Sequence, residues 1–296
     1  MKIGAFNVNE PVPELREPYA FAILRPWGLD VGNVGDLTLS SLESHFNAVG
    51  LAEIARPGRF FDFTRYRPSL SFKEGRRDVQ IPNTTISYAR TDTEHDFLFL
   101  HLLEPHSLAE VYNDSVLRVL KKFGVKRYCL LCARYDMVPH TKPILVSGIA
   151  SNPGLQEELE SAGVVPTEYQ GAVANPFLIW QQAAEKGIES LYLIAHLPHY
   201  LIMENDYRGQ KRLIEVLGSL YGFPLSLADA DKAKEQNEQV SMIAENMIRE
   251  EPKYGLILKQ LEAYYDSQAH ERKENIQLSP EVEDFLQDLN QRFRQE

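Results

Sequence analysis

Cysteine is nearly missing from this 296-residue chain: there are two, Cys129 and Cys132. That excludes a secreted disulfide scaffold and fits a reducing compartment. No apolar run reaches the roughly 18 residues that a membrane-spanning helix needs. The opening stretch MKIGAFNVNEPVPEL holds no apolar run of signal-peptide length, so a cytoplasmic chain is expected. Positive charge is in deficit, with 31 Lys and Arg against 42 Asp and Glu, a net −11. Phosphate backbones are bound by clustered cations, so neither nucleic acid nor a membrane is an expected partner. Motifs of chemistry are missing too. No GxGxxG, no GxxxxGK[ST] and no HExxH occurs, and no GxSxG elbow of the common α/β serine hydrolases.

What is present is an ordinary globular balance, 44% apolar and 25% charged. Short apolar runs alternate with helical patterns. Strands are expected at 19–24, 51–54, 97–103, 128–133, 144–150 and 191–195. Helices are expected at 36–46, 108–123, 154–162, 175–186 and 206–221. Near-continuous apolar strands between helices predict an α/β fold with a mainly parallel sheet covered on both faces. Residues 57–90 break the rhythm with prolines, arginines and aromatics, and predict loops and short antiparallel strands. After Pro224 only helices are expected, at 231–249, 255–268 and 280–294. The chain therefore divides into a core, 1–224, and a helical extension, 225–296. The extension holds sixteen acids and nine bases, so −7 of the −11 belongs to it.

Candidate chemistry gathers at a few places. Gly28, Gly32 and Gly35 lie between a strand and a helix, where backbone N–H groups can hold an anion. Their GxxxGxxG spacing equally serves tight turns and close packing. Cys129 and Cys132 form a CxxC inside a strand, where residues three apart point to opposite faces. Buried core thiols are expected, not a redox pair or a zinc site.

Ligands of parallel sheets bind at the carboxyl ends of strands. Three strands here run into polar clusters: Glu104 and His106, then Arg134, Asp136 and His140, then His196 and His199. Sharing one edge, they could bind a metal or do acid–base work, with His140 or His199 as base, Arg134 as anion clamp and Glu104 or Asp136 as orienting carboxylate. Polar strand ends are also commonplace. The arginines of residues 56–90, interleaved with aromatics such as Phe60, Tyr66 and Phe72, are the stuff of nucleic-acid grooves and of protein interfaces alike. The overall acidity favours an interface.

Three stretches taken in order resemble a known family: Val138-Pro139-His140-Thr141-Lys142-Pro143 leading into Val146-Ser147-Gly148-Ile149-Ala150-Ser151, then Tyr169-Gln170-Gly171, then Leu197-Pro198-His199-Tyr200-Leu201. Their order and spacing, with the glycine turn, look like the bacterial and archaeal branch of the proteasome-assembly-chaperone-two family, over residues 15–225. The C-terminal helices resemble the extension of some bacterial members. The resemblance implies a three-layer αβα fold like that of phosphorylases and peptidyl hydrolases. It implies homo-oligomers, often trimers, and an assembly or chaperone role as in better-known relatives. A non-enzymatic role of that kind predicts no tightly bound cofactor and no metal. Members that dock on the proteasome ring use a C-terminal hydrophobic-Tyr-any tripeptide. This chain ends Arg294-Gln295-Glu296, so docking by that route is not expected. The expected function is an oligomeric assembly or interaction protein of unidentified partner. The alternative is a hydrolase, a phosphorylase or a ligand binder using the strand-edge cleft.

Overall fold

The structure is a computed structural model. It describes residues 1–25, 30–73, 75–167 and 169–270. Gly28 and the helix expected at 280–294 lie outside the described residues.

Two short strands, β1 (Lys2–Ile3) and β2 (Phe6–Val8), precede β3 (Tyr19–Arg25), α1 (Val34–His45) and β4 (Val49–Ile54). A hairpin follows, β5 (Ser69–Lys73) and β6 (Arg76–Gln80), then β7 (Thr85–Ala89), β8 (Phe97–Leu103) and α2 (Ala109–Lys122). Next come β9 (Arg127–Asp136), β10 (Val146–Ala150), α3 (Pro153–Ser161), β11 (Val165–Pro166) and α4 (Asn175–Glu185). The remaining elements are β12 (Glu189–Pro198), α5 (Tyr207–Tyr221), α6 (Ala230–Glu250) and α7 (Lys253–His270).

Ten strands form one mixed sheet in the order β1-β2-β4-β7-β8-β3-β9-β12-β10-β11. Its centre, β8-β3-β9-β12, is parallel throughout. The flanks turn antiparallel at β7 and at β10. The parallel strands are apolar on both sides, as burial under two helical layers demands. In β3, Ala20, Ala22 and Leu24 face one core while Phe21 and Ile23 face the other. Helices α2 and α4 cover the first face. Helices α1, α3 and α5 cover the second. The result is an αβα sandwich, as the apolar strand runs predict.

The two cysteines behave as their spacing requires. Cys129 packs in one core and Cys132 in the other, both buried and unbridged. Burial pushes the Cys129 thiol up to about 12 and raises Cys132 as well.

The strand ends differ from expectation in one useful way. Strand β9 runs on through Arg134 and Asp136, and β12 through His196 and Pro198, because their ladder pairs Arg134 with His196 and Asp136 with Pro198. Those side chains therefore stand on rigid strands, not on loops.

The C-terminal helices pack against the core. Gln236 of α6 accepts the backbone N–H of Tyr207 at 2.8 Å and donates to the Asn205 carbonyl at 2.6 Å, completing the N-cap of α5 that Asp206 begins. Helix α7 reaches back to the loop after β9. Lys142 bonds Asp266 at 2.7 Å, Thr141 donates to Glu262, and the Tyr265 hydroxyl donates to the Pro143 carbonyl at 2.9 Å. Among the described residues no helix is long and apolar enough to cross a membrane.

Candidate functional site at the carboxyl edge of the sheet

Residues two apart on a strand share a face. Arg134 and Asp136 of β9 thus stand on the face of Cys132, and their register partners on β12 bring His196 beside them. Antiparallel β10 supplies Ser147 on the same face. The four form a chain. The Arg134 guanidinium donates to Asp136 Oδ2, His196 Nδ1 lies 2.6 Å from the same oxygen, and His196 Nε2 lies 2.7 Å from Ser147 Oγ. The carboxylate accepts, so Nδ1 carries the proton. Burial works to raise the Asp136 carboxyl. The His196 hydrogen bond and the Arg134 pair outweigh it and hold the group well below the usual carboxylate range.

The other expected histidines are fastened separately. His199 hangs from the Asp136 backbone carbonyl, through its own N–H at 3.1 Å and through Nδ1 at 3.3 Å. Its buried Nε2 has no partner. His140 turns its N–H and Nδ1 to the Tyr200 hydroxyl, each at 2.8 Å. That hydroxyl accepts from the backbone N–H. Burial first and the buried Arg208 second lower the His140 pKa, against Glu262 of α7. Burial likewise lowers His199 and pushes Tyr200 up to about 12.

Glu104 and His106 belong to a different neighbourhood at the end of β8. Glu104 accepts the N–H of Asn175, at the start of α4, at 3.1 Å. His106 Nδ1 accepts the N–H of Asp62 at 3.1 Å, with its ring against Tyr66. Together with Arg65 they line a half-open polar cavity of about 630 Å³. One segment spans both neighbourhoods: the Tyr169 ring lies 6.0 Å from the Arg134 guanidinium, and six residues later Asn175 meets Glu104. Thus Arg134, Asp136, His196 and Ser147 come together. His140 and His199 flank them through Tyr200, edge-on to both rings. His106 bonds elsewhere.

The glycine turn holds an anion, and it is the chain's own. The Asp30 carboxylate accepts the N–H of Gly35 and, at 2.9 Å, that of Asp36 at the opening of α1. Burial pushes Asp30 up to about 6 against those bonds. Gly32 has φ +62°, and a Cβ there would sit 2.9 Å from Asp206 Cβ, so close packing occupies it. A Cβ on Gly35 would meet Asp30 Oδ1 at 2.9 Å.

With this geometry in place, comparison with known proteins is decisive at one level. The PAC2 family model matches residues 27–244. The chain belongs to the PAC2 family. Solved PAC2-like structures repeat its fold. A Mycobacterium tuberculosis protein of unknown function aligns at TM-score 0.75 and 22% identity, covering 92% of each chain. That share reaches into the helical extension. A PAC2 family protein from Streptomyces avermitilis aligns at TM-score 0.71 and 22% identity, over 79% of this chain and 98% of its own. A proteasome-assembly chaperone homologue from M. tuberculosis gives 0.67 and 21%, over 75% and 94%. No curated protein matches the sequence.

Sequence reasoning missed a second polar network on this PAC2 chain. Arg25 at the end of β3 donates to Asp36 and meets His101 Nδ1 at 2.9 Å. His101 Nε2 lies 2.8 Å from Glu43, which also accepts from Ser87. Burial alone would lower the His101 pKa, but Asp36 and Glu43 raise it overall. The available signal was His101 itself, a lone histidine inside the apolar run Phe97–Leu103. Ser147 carried no signal, because a serine in a strand is unremarked until its cross-strand neighbour is known.

Proposed function

We propose that the chain is a protein-binding assembly factor of chaperone type that works through its surface as an oligomer. The observation that carries this is a contrast. Arg134, Asp136 and His196 at the strand edge are consumed by the protein's own frame, while large apolar side chains stand in solvent on the β5–β6 hairpin. Ser147 and His196 are buried, and Ser147 sits mid-ladder between β11 and β12 instead of on an exposed turn. A nucleophile needs substrate access and free N–H donors for the oxyanion. A hydrogen-bonded relay that locks three strands needs neither. The PAC2 fold and a relative described as a proteasome-assembly chaperone homologue support the same reading. The partner is a protein.

The test pairs two measurements on the full chain. Thermal melting is followed with divalent metals, phosphate and nucleotides, and sedimentation is followed with candidate protein partners, a proteasome core particle included. Stoichiometric co-sedimentation with a protein and an unmoved melting curve are expected. A melting point raised by several degrees by a small ligand, without any protein partner, overturns the reading.

A second reading rests on the cavity beside His106. Glu104, Arg65, Tyr66 and His106 surround a space large enough for a small polar molecule, at the strand end where ligands of such sheets bind. Arg65→Ala would then abolish a ligand-induced melting shift.

A further inference from the structure

Four cations meet around one cleft, in a chain that is short of them. Strand β1 brings Lys2, the turn after β4 brings Arg56 and Arg59, and α2 brings Arg118. They line a half-open cavity of about 490 Å³, distinct from the one beside His106. All four are exposed. Among the described residues none of their side chains makes an ion pair or a hydrogen bond. Elsewhere arginines are matched: Arg127 meets Glu158 and Glu189, Arg134 meets Asp136, and Arg208 meets Asp206. One carboxylate, Asp114, shares the cleft and leaves it at +3, in a chain of net −11. Like charges gathered without counter-charge repel one another, and an anion from outside relieves that repulsion.

The walls say which anion. A phosphate nest needs free backbone N–H groups converging on it. Here they are spent. The Ala5 N–H donates to Ser115 Oγ at 3.0 Å, that of Arg59 to the Arg56 carbonyl at 3.1 Å, and that of Phe60 to the Pro57 carbonyl at 2.9 Å. Single-stranded nucleic acid needs aromatic faces on which bases stack. Among the described residues the one aromatic lining the cleft, Phe60, is 3% exposed. The walls offer aliphatic surface instead, Ala5, Ala55 and the exposed Val111, between cations drawn from three segments. That spread suits carboxylates strung along a peptide, with an apolar side chain between them.

The floor is fixed in advance. Ser115 is buried, and its Oγ accepts from Ala5 while donating to the Val111 carbonyl at 2.7 Å. The Ala55 N–H donates to the Ala5 carbonyl at 3.0 Å. The three segments are thus tied together before any ligand arrives, which lowers the cost of binding.

We propose that this cleft binds an acidic peptide segment of the protein partner, with its Asp and Glu side chains paired by Lys2, Arg56, Arg59 and Arg118. The inference rests on the proposed function, that the partner is a protein, and names the chemistry by which one segment of that partner is held.

Fluorescence anisotropy of the full chain with a short labelled peptide alternating glutamate and valine tests it. Binding that weakens as salt is added is expected. The same peptide with glutamine in place of glutamate is expected to bind at least about tenfold more weakly, and Arg56→Glu with Arg118→Glu to weaken the glutamate peptide as much. Lys211→Glu with Lys234→Glu, exposed cations of α5 and α6, changes the net charge equally and should bind as the wild type does. Circular dichroism and melting point should be unchanged in both variants. Absence of binding, an equal loss in the two charge variants, or equal affinity for the glutamine peptide each overturns the proposal. So does tighter retention of oligothymidylate than of the glutamate peptide through the same two arginines. A chain that ignores the peptide yet still co-sediments with a protein overturns only this inference and leaves the proposed function in place.

Discussion

His196 Nδ1 lies 2.6 Å from Asp136 Oδ2, although the two residues are 60 positions apart in the chain. The register of two parallel strands creates that contact. It predicts a stability role. Replacing His196 with Leu roughly keeps the volume but leaves the Asp136 carboxylate and the Ser147 hydroxyl short of a partner. A loss of about 1–3 kcal/mol in urea unfolding is expected. An unchanged midpoint would show that the relay does not hold the strands.

Asp136 also sets an acid limit. Its folded pKa lies below the ordinary carboxylate value, so its stabilisation is full above about pH 4 and is lost as pH falls further. Asp136→Asn, measured by urea unfolding between neutral and acid pH, should flatten that decline. A decline as steep as the wild type's would place the acid sensitivity elsewhere.

The His101 network acts in the opposite direction. Asp36 and Glu43 raise the folded pKa of His101, so its stabilisation is full below about pH 6.5 and fades as pH rises through the higher folded value. His140 and His199 are lowered and instead cost stability as pH falls below about 6.5. The difference between wild type and His101→Gln isolates the first effect. It should shrink from pH 6 toward higher pH, about 6 to 9. A constant difference would contradict the pairing.

Much of this was readable beforehand, and the limit has a physical basis. The alternation of strands and helices follows from apolar runs such as Phe97–Leu103, because a parallel strand buried on both faces has no polar parity. The diverging cysteines follow from the period of two along a strand. Which polar strand ends meet does not follow, because register is a property of pairs. Arg134, Asp136 and His196 stood out as polar strand ends, yet Ser147 entered only through the antiparallel turn of β10. His106 drew attention for the same reason as His199 and lies in another neighbourhood. The hairpin read as arginines among aromatics, but its outward apolar face depends on which side the body covers.

Cys129 and Cys132 should not react with a thiol reagent at mildly alkaline pH in the native state, since burial keeps both thiols protonated. Both should titrate at once in urea. Native-state labelling of either would mean that the strands open.

The grip of α7 on the loop after β9 is local. Lys142→Ala with Tyr265→Phe removes an exposed ion pair and one hydrogen bond. Faster amide exchange over α7, with the global melting point unmoved, is expected from hydrogen-exchange mass spectrometry. Unchanged exchange would show that other contacts hold the helix.

The central claim is that this PAC2 chain acts through an exposed apolar surface. Photo-crosslinking from position 72, in cells that produce the full chain, tests it most directly. The account predicts a discrete protein adduct through that residue. Irradiation that leaves only the single-chain band would contradict it.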